Sequence, residues 1–175
     1  FFYGQNLTSK LLENTKLKNG ARVVLHKVTR PELFGVAKIN KKNRIISIKE
    51  KPKKFLSDLA ITGLYFFDNN VIKFAKKLKP SKRGELEIVD LLNFYKSKHK
   101  LSADLIGRGG AWLDTGSIED FYKTSAFVSA IENRQGFKIA CLEEISLNKK
   151  WINKRHILDS IKFYGNCEYS NYLKK

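Results

Sequence analysis

The 175-residue chain contains no methionine and only two cysteines, Cys141 and Cys167. Two cysteines so far apart make neither a disulfide framework nor a C-x-x-C metal motif, so we expect a reducing compartment, with the cytoplasm as the default. No apolar run approaches the roughly 20 residues that span a bilayer, and no signal-peptide pattern opens the chain. Because the chain opens on Phe1 and not on methionine, we expect it to be a fragment of a longer gene product.

Acidic side chains are also few: 17 Asp and Glu stand against 34 Lys and Arg, which gives a formal net charge of +17. Such an excess makes nucleic acid a partner to consider. The lysines, however, cluster at predicted turns and helix ends and are not interleaved with aromatic residues, as a groove for a single strand requires. A basic nucleic-acid-binding module is therefore an alternative that rests on charge alone, and we expect neither a nucleic-acid nor a membrane partner.

Segments with the periodicity of strands and of helices alternate along the chain, which predicts an α/β fold with helices on both faces of a sheet. Strands are predicted at 21–28, 35–39, 44–50, 59–67, 101–107 and 137–141, with a hairpin turn at 40–43. Helices are predicted at 7–18, 68–78, 87–99 and 117–135, and short helices after 142. The inward sides of the third and fourth helices are predicted to be Ile88, Leu91, Leu92 and Tyr95, and Ile118, Phe121, Val128 and Ile131.

Glu50 and Lys51 end the strand at 44–50, just before Pro52, which stops the strand and restricts the residue before it. Alternation along this strand places Glu50 on one partly buried face with Ile46 and Ile48. In open α/β sheets ligands bind at strand ends, where Glu50 would accept hydroxyl hydrogens and Lys51 would offer a charge to a phosphate. The alternative is a surface ion pair between the two side chains.

Gly63 interrupts the apolar strand at 59–67, where a glycine weakens strand pairing unless it serves a purpose. Either a ligand or another backbone approaches it closely, or it forms a bulge. Tyr65 would line the space that Gly63 leaves open, or would pack in the core.

Arg83 precedes the helix at 87–99, where backbone N–H groups already favour negative charge. It would clamp an anion beside that helix start. Alternatively, it is the solvated neighbour of two acids in the first turn, Glu85 and Glu87.

Asp114 lies within the stretch GRGGAWLDTGS, two residues after Trp112. It is a turn residue, a helix-approach cap or a ligand of a hard cation. One carboxylate is too few to hold Mg²⁺ without substrate phosphates or a second ligand. None of the 3 histidines has a sequence neighbour that would make a nucleophile-activating triad. There is also no Walker P-loop and no G-x-G-x-x-G motif.

Seven segments resemble, in order, the carboxyl-terminal part of the bacterial glucose-1-phosphate thymidylyltransferases, a group of the sugar-nucleotidyltransferase family: FYGQNL (2–7), PELFGVAKI (31–39), ISIKEKPKK (46–54), AITGLYFFD (60–68), RGELEIVDL (83–91), GRGGAWLDTGS (107–117) and ENRQGFKIACLEEIS (132–146). The resemblance implies a three-layer, Rossmann-like nucleotide-diphosphosugar transferase sheet, present in part. It further implies a sugar-phosphate-binding part at 1–141 and a helical interface or regulatory region at 142–175. The nucleotide-binding part would precede Phe1.

The same resemblance implies a Mg²⁺-dependent reaction of dTTP with glucose 1-phosphate that yields dTDP-glucose and pyrophosphate, for the synthesis of dTDP-rhamnose and cell-surface polysaccharide. The full-length enzyme would be a homotetramer. A second Mg²⁺-binding aspartate would precede Phe1, so the fragment is expected to be inactive alone; the alternative is a non-catalytic assembly fragment. The implied substrate-binding residues are Gly35, Glu50, Lys51, Ile61, Gly63, Tyr65, Arg83 and Trp112. The implied catalytic residues are Lys51, Arg83 and Asp114, with Asp114 also the metal ligand.

Overall fold

The computed structural model describes residues 1–81 and 84–175. The chain divides into two units, Phe1–Leu113 and Asp114–Lys175. The functional division at residue 141 stays a prediction, because a division by packing does not test it.

The first unit is built on a five-stranded mixed sheet with the strand order β4-β3-β5-β2-β6. Its strands are β2 (Ala21–Lys27), β3 (Gly35–Ile39), β4 (Ile45–Glu50), β5 (Leu59–Phe67) and β6 (Leu101–Leu105). Strands β2 and β6 are parallel, and the other neighbouring pairs are antiparallel. Two short strands, β1 (Phe2–Gly4) and β7 (Gly110–Trp112), pair with each other separately.

Helices cover both faces of this sheet. Alternation along β2 sends Val23 and Leu25 into the core that α2 (Asn70–Ala75) and α3 (Ile88–Ser97) complete. Arg22 points the other way, toward α1 (Leu7–Thr15), where its Nη1 donates to Asn14 Oδ1 at 2.6 Å. The prediction of an α/β fold with helices on both sheet faces is therefore confirmed.

Tyr95 of α3 is the largest fully buried side chain of the core. Its ring lies 5.1 Å from that of Phe74 in an edge contact and 5.6 Å from that of Phe67. Leu91, Leu92 and Tyr95 point inward as predicted, whereas Ile88, the first residue of α3, is exposed. Of the four positions predicted for α3, the last three therefore belong to the core.

Asp68 is a buried carboxylate between β5 and α2. It accepts hydrogen bonds from Gly20 N at 2.7 Å, from Tyr95 OH at 2.8 Å and from Asn70 N at 3.0 Å. Burial by itself raises the pKa of the Asp68 carboxyl, but the hydrogen bonds from Gly20, Tyr95 and Asn70 outweigh burial and hold its pKa below the usual value. Asp68, predicted to cap α2, instead lies one residue before the N-cap Asn69 and ties the start of β2 to α3.

A β-bulge in β4 makes one sequence prediction wrong. Ile39 lies opposite Ile45 and Lys38 lies opposite Ser47, so Ile46 is an extra residue without a partner. The buried side chains are therefore Ile45 and Ile48, while Ile46 is 50% exposed. Glu50, at the end of this strand, is exposed and does not end a partly buried face.

A second bulge lies in β5, around Gly63. Val23 of β2 faces Tyr65 but Leu25 faces Ile61, so β5 has extra residues there. Gly63 has a φ of 86°, a left-handed value that glycine adopts without strain. Of the two alternatives that the sequence left open, the bulge is the one observed.

The tip of the β3–β4 hairpin contacts the far edge of the sheet. Ala103 N of β6 donates to Asn43 O at 2.8 Å, and Arg44 forms an isolated bridge with Ser102. The turn itself is fixed by Asn40, whose Oδ1 accepts from Lys42 N at 2.9 Å and from Arg44 N at 3.0 Å.

The second unit contains α4 (Ile118–Gln135), α5 (Leu142–Asn148), α6 (Lys154–Tyr164) and α7 (Glu168–Leu173). Both ends of α4 are as predicted: Ser117 Oγ accepts from Asp120 N at 3.0 Å, and Gly136 closes the helix with a φ of 71°. Within the described residues, no helix is both long and apolar enough to cross a membrane.

Two predictions for the second unit are wrong. Residues 137–141 do not form a strand, because Glu132 Oε1 accepts from Ile139 N at 2.8 Å and Lys138 Nζ donates to Glu132 Oε2 at 2.9 Å. These contacts hold the segment against the last turns of α4. The first turns of α4 are not packed inward either, since Ile118 is 92% and Phe121 63% exposed.

Candidate functional site

The carboxylate of Glu50 lies across β3. Glu50 and Gly35 face each other in register, and a Cβ on Gly35 would lie 2.7 Å from Glu50 Oε2 and 3.8 Å from Ile61 Cδ1. Glycine at position 35 therefore leaves the space in which the Glu50 carboxylate reaches toward β5. The structure thus brings together three of the predicted substrate-binding residues, contributed by three adjacent strands.

Tyr65 lies within the electrostatic reach of this carboxylate. Burial raises the pKa of the Tyr65 hydroxyl, and the negative charge of Glu50 raises it further. The Tyr65 ring also stacks on that of Phe67, with 6.0 Å between the ring centres. A hydrogen-bond acceptor and a hydroxyl that stays protonated therefore share this part of the sheet.

Lys51 has an unusual backbone. Its φ of 39° is left-handed, although the residue is not glycine and precedes Pro52, a conformation that costs on the order of 1–3 kcal/mol. A hydrogen bond from Lys51 N to Phe34 O, at 3.0 Å, holds it there. No ion pair joins Lys51 to Glu50, both of which the structure describes, so the surface-pair alternative is not observed.

Trp112 of β7 supports this corner from the side. Its ring makes edge contacts with Phe34, at 5.3 Å between ring centres, and with His26, at 6.3 Å. Since Phe34 O holds Lys51 N, packing on Trp112 fixes the backbone that presents Lys51. Trp112 is thus linked to Lys51 through Phe34.

His26, near the end of β2, is the neighbour that sequence reasoning missed. Burial lowers the pKa of its imidazole. Its buried Nδ1 has no hydrogen-bond partner among residues 1–81 and 84–175. His26 has no nucleophile beside it in the sequence, and its position near a strand end is the signal that singles it out.

Gly63 borders open space: nothing lies within 4 Å of where its Cβ would be. The bulge therefore leaves an exposed backbone position on the same strand as Ile61 and Tyr65. Arg83, the other predicted phosphate ligand, lies outside the described residues.

Asp114 begins the second unit, and its side chain is exposed. Asp114 Oδ1 accepts from Thr115 N at 2.9 Å, and Oδ2 would lie 3.3 Å from a Cβ on Gly116. This local hydrogen bond is what the turn alternative predicts. It leaves the remaining lone pairs open, which fits an Mg²⁺ ligand whose shell is completed by water and substrate phosphates. In the part of the chain that the structure describes, no group of three or more acidic, His or Cys side chains is placed to hold a metal.

Known proteins resemble this chain along most of its length. Residues 1–131 match the family model described as nucleotidyl transferase. The chain is 44% identical over 172 residues to a glucose-1-phosphate thymidylyltransferase of Neisseria meningitidis, covering 98% of this chain and 60% of that protein. It is 40% identical over 156 residues to one of Xanthomonas campestris, covering 89% of this chain and 53% of that protein.

A solved structure agrees with these sequence relatives. It is described as a glucose-1-phosphate thymidylyltransferase of Bacillus anthracis in complex with a sucrose, and it matches with a TM-score of 0.60 and 38% identity. The match covers 73% of this chain and 50% of that one. The chain thus spans about three fifths, or less, of the length of these relatives.

Proposed function

Because the chain belongs to the nucleotidyl transferase family, we propose that it provides the sugar-phosphate-binding part of a glucose-1-phosphate thymidylyltransferase. The reaction is the attack of a phosphate oxygen of glucose 1-phosphate on the α-phosphorus of dTTP, which gives dTDP-glucose and pyrophosphate. The observation that carries the proposal is the Glu50 carboxylate, which lies across Gly35 in the space that only glycine leaves open.

In this proposal Glu50 accepts hydrogen bonds from glucose hydroxyls. A carboxylate has only acceptors, so it suits the hydroxyl groups of a sugar and repels a phosphate. Tyr65 keeps its proton because its pKa is raised, and it can therefore donate to a sugar oxygen. Ile61 and the open backbone at Gly63 form the wall beside the ring.

Lys51 carries the phosphate side of the proposal, together with Arg83. One P–O bond forms, from the sugar phosphate to the α-phosphorus, and the bond between the α- and β-phosphates breaks. The attacking oxygen is already an anion, so the step needs no protein nucleophile and no general base. It needs charge neutralisation and in-line positioning, which fixed cations supply. Trp112 acts as a positioning residue, through Phe34 and the backbone of Lys51.

Asp114 is the metal ligand of the proposal. Its exposed carboxylate, with one local hydrogen bond, has the oxygen donors that Mg²⁺ prefers. When bound, the ion neutralises charge on the reacting phosphates.

We also propose that the full-length product is a homotetramer and supplies dTDP-glucose for dTDP-rhamnose and cell-surface polysaccharide. Large apolar side chains exposed on the second unit support an interface there: Ile118 is 92%, Phe163 84% and Trp151 73% exposed. Sedimentation of the full-length product tests the assembly, and a monomer at micromolar concentration would contradict it.

The experiment for the activity uses the full-length product of the parent gene. Pyrophosphate release is measured with glucose 1-phosphate, Mg²⁺ and each of dTTP, UTP, GTP and ATP. Glu50→Gln is expected to raise the KM for glucose 1-phosphate by about tenfold, since one charge-assisted contact to the sugar is lost. Asp114→Asn is expected to lower kcat by about a hundredfold or more.

Glu13→Gln is the matched control, since Glu13 is an exposed carboxylate of α1 outside the site. Turnover with dTTP that survives Asp114→Asn would make Asp114 a turn residue only. No turnover with any nucleotide would favour the assembly fragment. The 175-residue chain alone is expected to form no dTDP-glucose.

A further inference from the structure

A cavity lies where the tip of the β3–β4 hairpin meets the start of β6. Its volume is about 490 Å³, within the range of about 300–1,000 Å³ for small-molecule sites. None of the proposed sugar-phosphate ligands that the structure describes lines it. The charged and titratable groups that face it are Arg22, Lys42, Arg44, His99, Lys100 and Asp104.

Four of these groups are basic side chains, Arg22, Lys42, Arg44 and Lys100, and only one is an acid. Asp104 is already engaged: its Oδ2 accepts from Asn14 Nδ2 at 2.6 Å and lies 3.9 Å from Arg22 Nη1. Among the described residues, no carboxylate lies within ion-pair distance of Lys42, Arg44 or Lys100. The cavity therefore concentrates positive charge that the protein itself does not neutralise.

The backbone that carries these cations is held by hydrogen bonds. The turn bearing Lys42 and Arg44 is fixed by Asn40, and Asn43 O accepts a hydrogen bond from Ala103 N at 2.8 Å. Lys100 O accepts from Ala21 N, also at 2.8 Å.

The Arg44 side chain is also tethered, since Nη1 donates to His99 O at 3.3 Å, which leaves its other N–H groups available. A cation on fixed backbone gives up less conformational freedom on binding than one on a loose loop. This distinguishes the cavity from the lysine clusters spread over the rest of the surface.

We propose that this cavity binds a small anion that carries more than one phosphate group. Arginine offers a planar fork and lysine a point charge, and phosphate oxygens accept from both. Three uncompensated cations around one space match the charge of linked phosphate groups better than that of a single phosphate group. The site is separate from the sugar-phosphate site, so it goes beyond the proposed activity.

The test is a titration of the ¹⁵N-labelled 175-residue chain with pyrophosphate at constant ionic strength, followed by NMR. The backbone amides of Lys42, Asn43 and Ser102 are expected to shift saturably. In the double variant Arg44→Gln/Lys100→Gln the Kd is expected to rise by about tenfold or more, since charge-assisted contacts are lost.

Matched variants separate this site from general charge. Lys76→Gln/Lys77→Gln removes the same charge outside the cavity and is expected to change the Kd by less than about twofold, because salt screens distant exposed charges. Arg44→Lys keeps the charge and is expected to keep pyrophosphate binding. Lys51→Gln lies outside the cavity and is expected to leave the Kd of the cavity for pyrophosphate unchanged. The absence of saturable shifts in the folded chain, or an equal loss in both double variants, would overturn the proposal.

Discussion

Replacing Asp68 by asparagine is expected to destabilise the first unit by about 3 kcal/mol, although the two side chains have nearly the same shape. The carboxylate accepts four hydrogen bonds: Oδ2 from Gly20 N at 2.7 Å and Asn70 Nδ2 at 3.1 Å, and Oδ1 from Tyr95 OH at 2.8 Å and Asn70 N at 3.0 Å. An amide has one acceptor oxygen, so its NH₂ group must face two of these donors in either orientation.

The magnitude follows from counting these contacts. Each hydrogen bond to a charged group contributes about 1.5–3 kcal/mol. In the Asp68→Asn variant two of these hydrogen bonds are lost or have their direction reversed. Because the buried group is no longer charged, part of its desolvation cost is recovered, and the net loss of stability is about 3 kcal/mol. Tyr95→Phe removes a single donor and is expected to cost about 1.5–2 kcal/mol. In the Asp68→Asn background its cost is expected to fall, because the two residues share one contact.

The effect depends on pH in a defined direction. The pKa of the Asp68 carboxyl is lowered in the folded chain, so its stabilisation is fully present above the unfolded-state pKa, about 4. As the pH falls from there through the folded-state pKa, the stabilisation is lost. The difference in the free energy of unfolding between the starting chain and the Asp68→Asn variant should therefore become smaller in acid.

The assay is urea unfolding, followed by tryptophan fluorescence in a Trp151→Phe background. The chain has 2 tryptophans, so Trp112 is then the only one left to report unfolding. Trp112 lies in the first unit, and its fluorescence therefore follows the unfolding of that unit. If Asp68→Asn lowers the free energy of unfolding by less than about 1 kcal/mol at pH 7, the assignment of Asp68 as a stabilising charge is refuted. The assignment is also refuted if the difference in the free energy of unfolding between the two chains stays constant from pH 7 to about pH 3.

Two further predictions concern the second unit. Lys138→Met is expected to lower the free energy of unfolding by about 2 kcal/mol, because it removes the ion-pair partner of the largely buried Glu132 carboxylate. Urea unfolding followed by the fluorescence of Trp151 measures this loss. A Glu132→Gln change made in addition should recover part of the loss, and no recovery would contradict this reasoning. Ser117→Ala is expected to cost about 1 kcal/mol through the lost cap of α4, whereas the control Ser125→Ala should stay within about 0.5 kcal/mol; equal losses would rule out the cap.

The strands that the sequence predicts best are those bounded by turn residues. Strands β3 and β5 begin and end where predicted: β3 starts at Gly35 and ends before Asn40, and β5 lies between Asp58 and Asp68. The bulge at Ile46 was beyond the alternation pattern, because an extra residue depends on the partner strand and not on the bulged one. The bulge at Gly63 was one of two alternatives, since a glycine within a strand indicates one. The false strand at 137–141 failed for a similar reason: a side chain from outside the segment takes its backbone N–H.

For the candidate site, residues alone placed Glu50 and Lys51 at a strand end and left their roles open. The resemblance added Gly35, and it assigned to the substrate site Tyr65, which the residues alone had left between pocket lining and core packing. The structure brings both to Glu50. The contact between Trp112 and Phe34 joins residues far apart in sequence, so no local pattern announces it. The metal role of Asp114 stays a prediction.

The parallel pairing of β2 with β6 joins residues such as Arg22 and Ser102, which are 80 positions apart. On the ribosome, chains grow by about 5–20 residues per second, so this edge of β2 waits about 4–16 s for its partner. During that interval the open edge is a template on which the strand of another nascent chain can pair. The spacing of synthesis on neighbouring ribosomes thus becomes a determinant of the yield of folded protein.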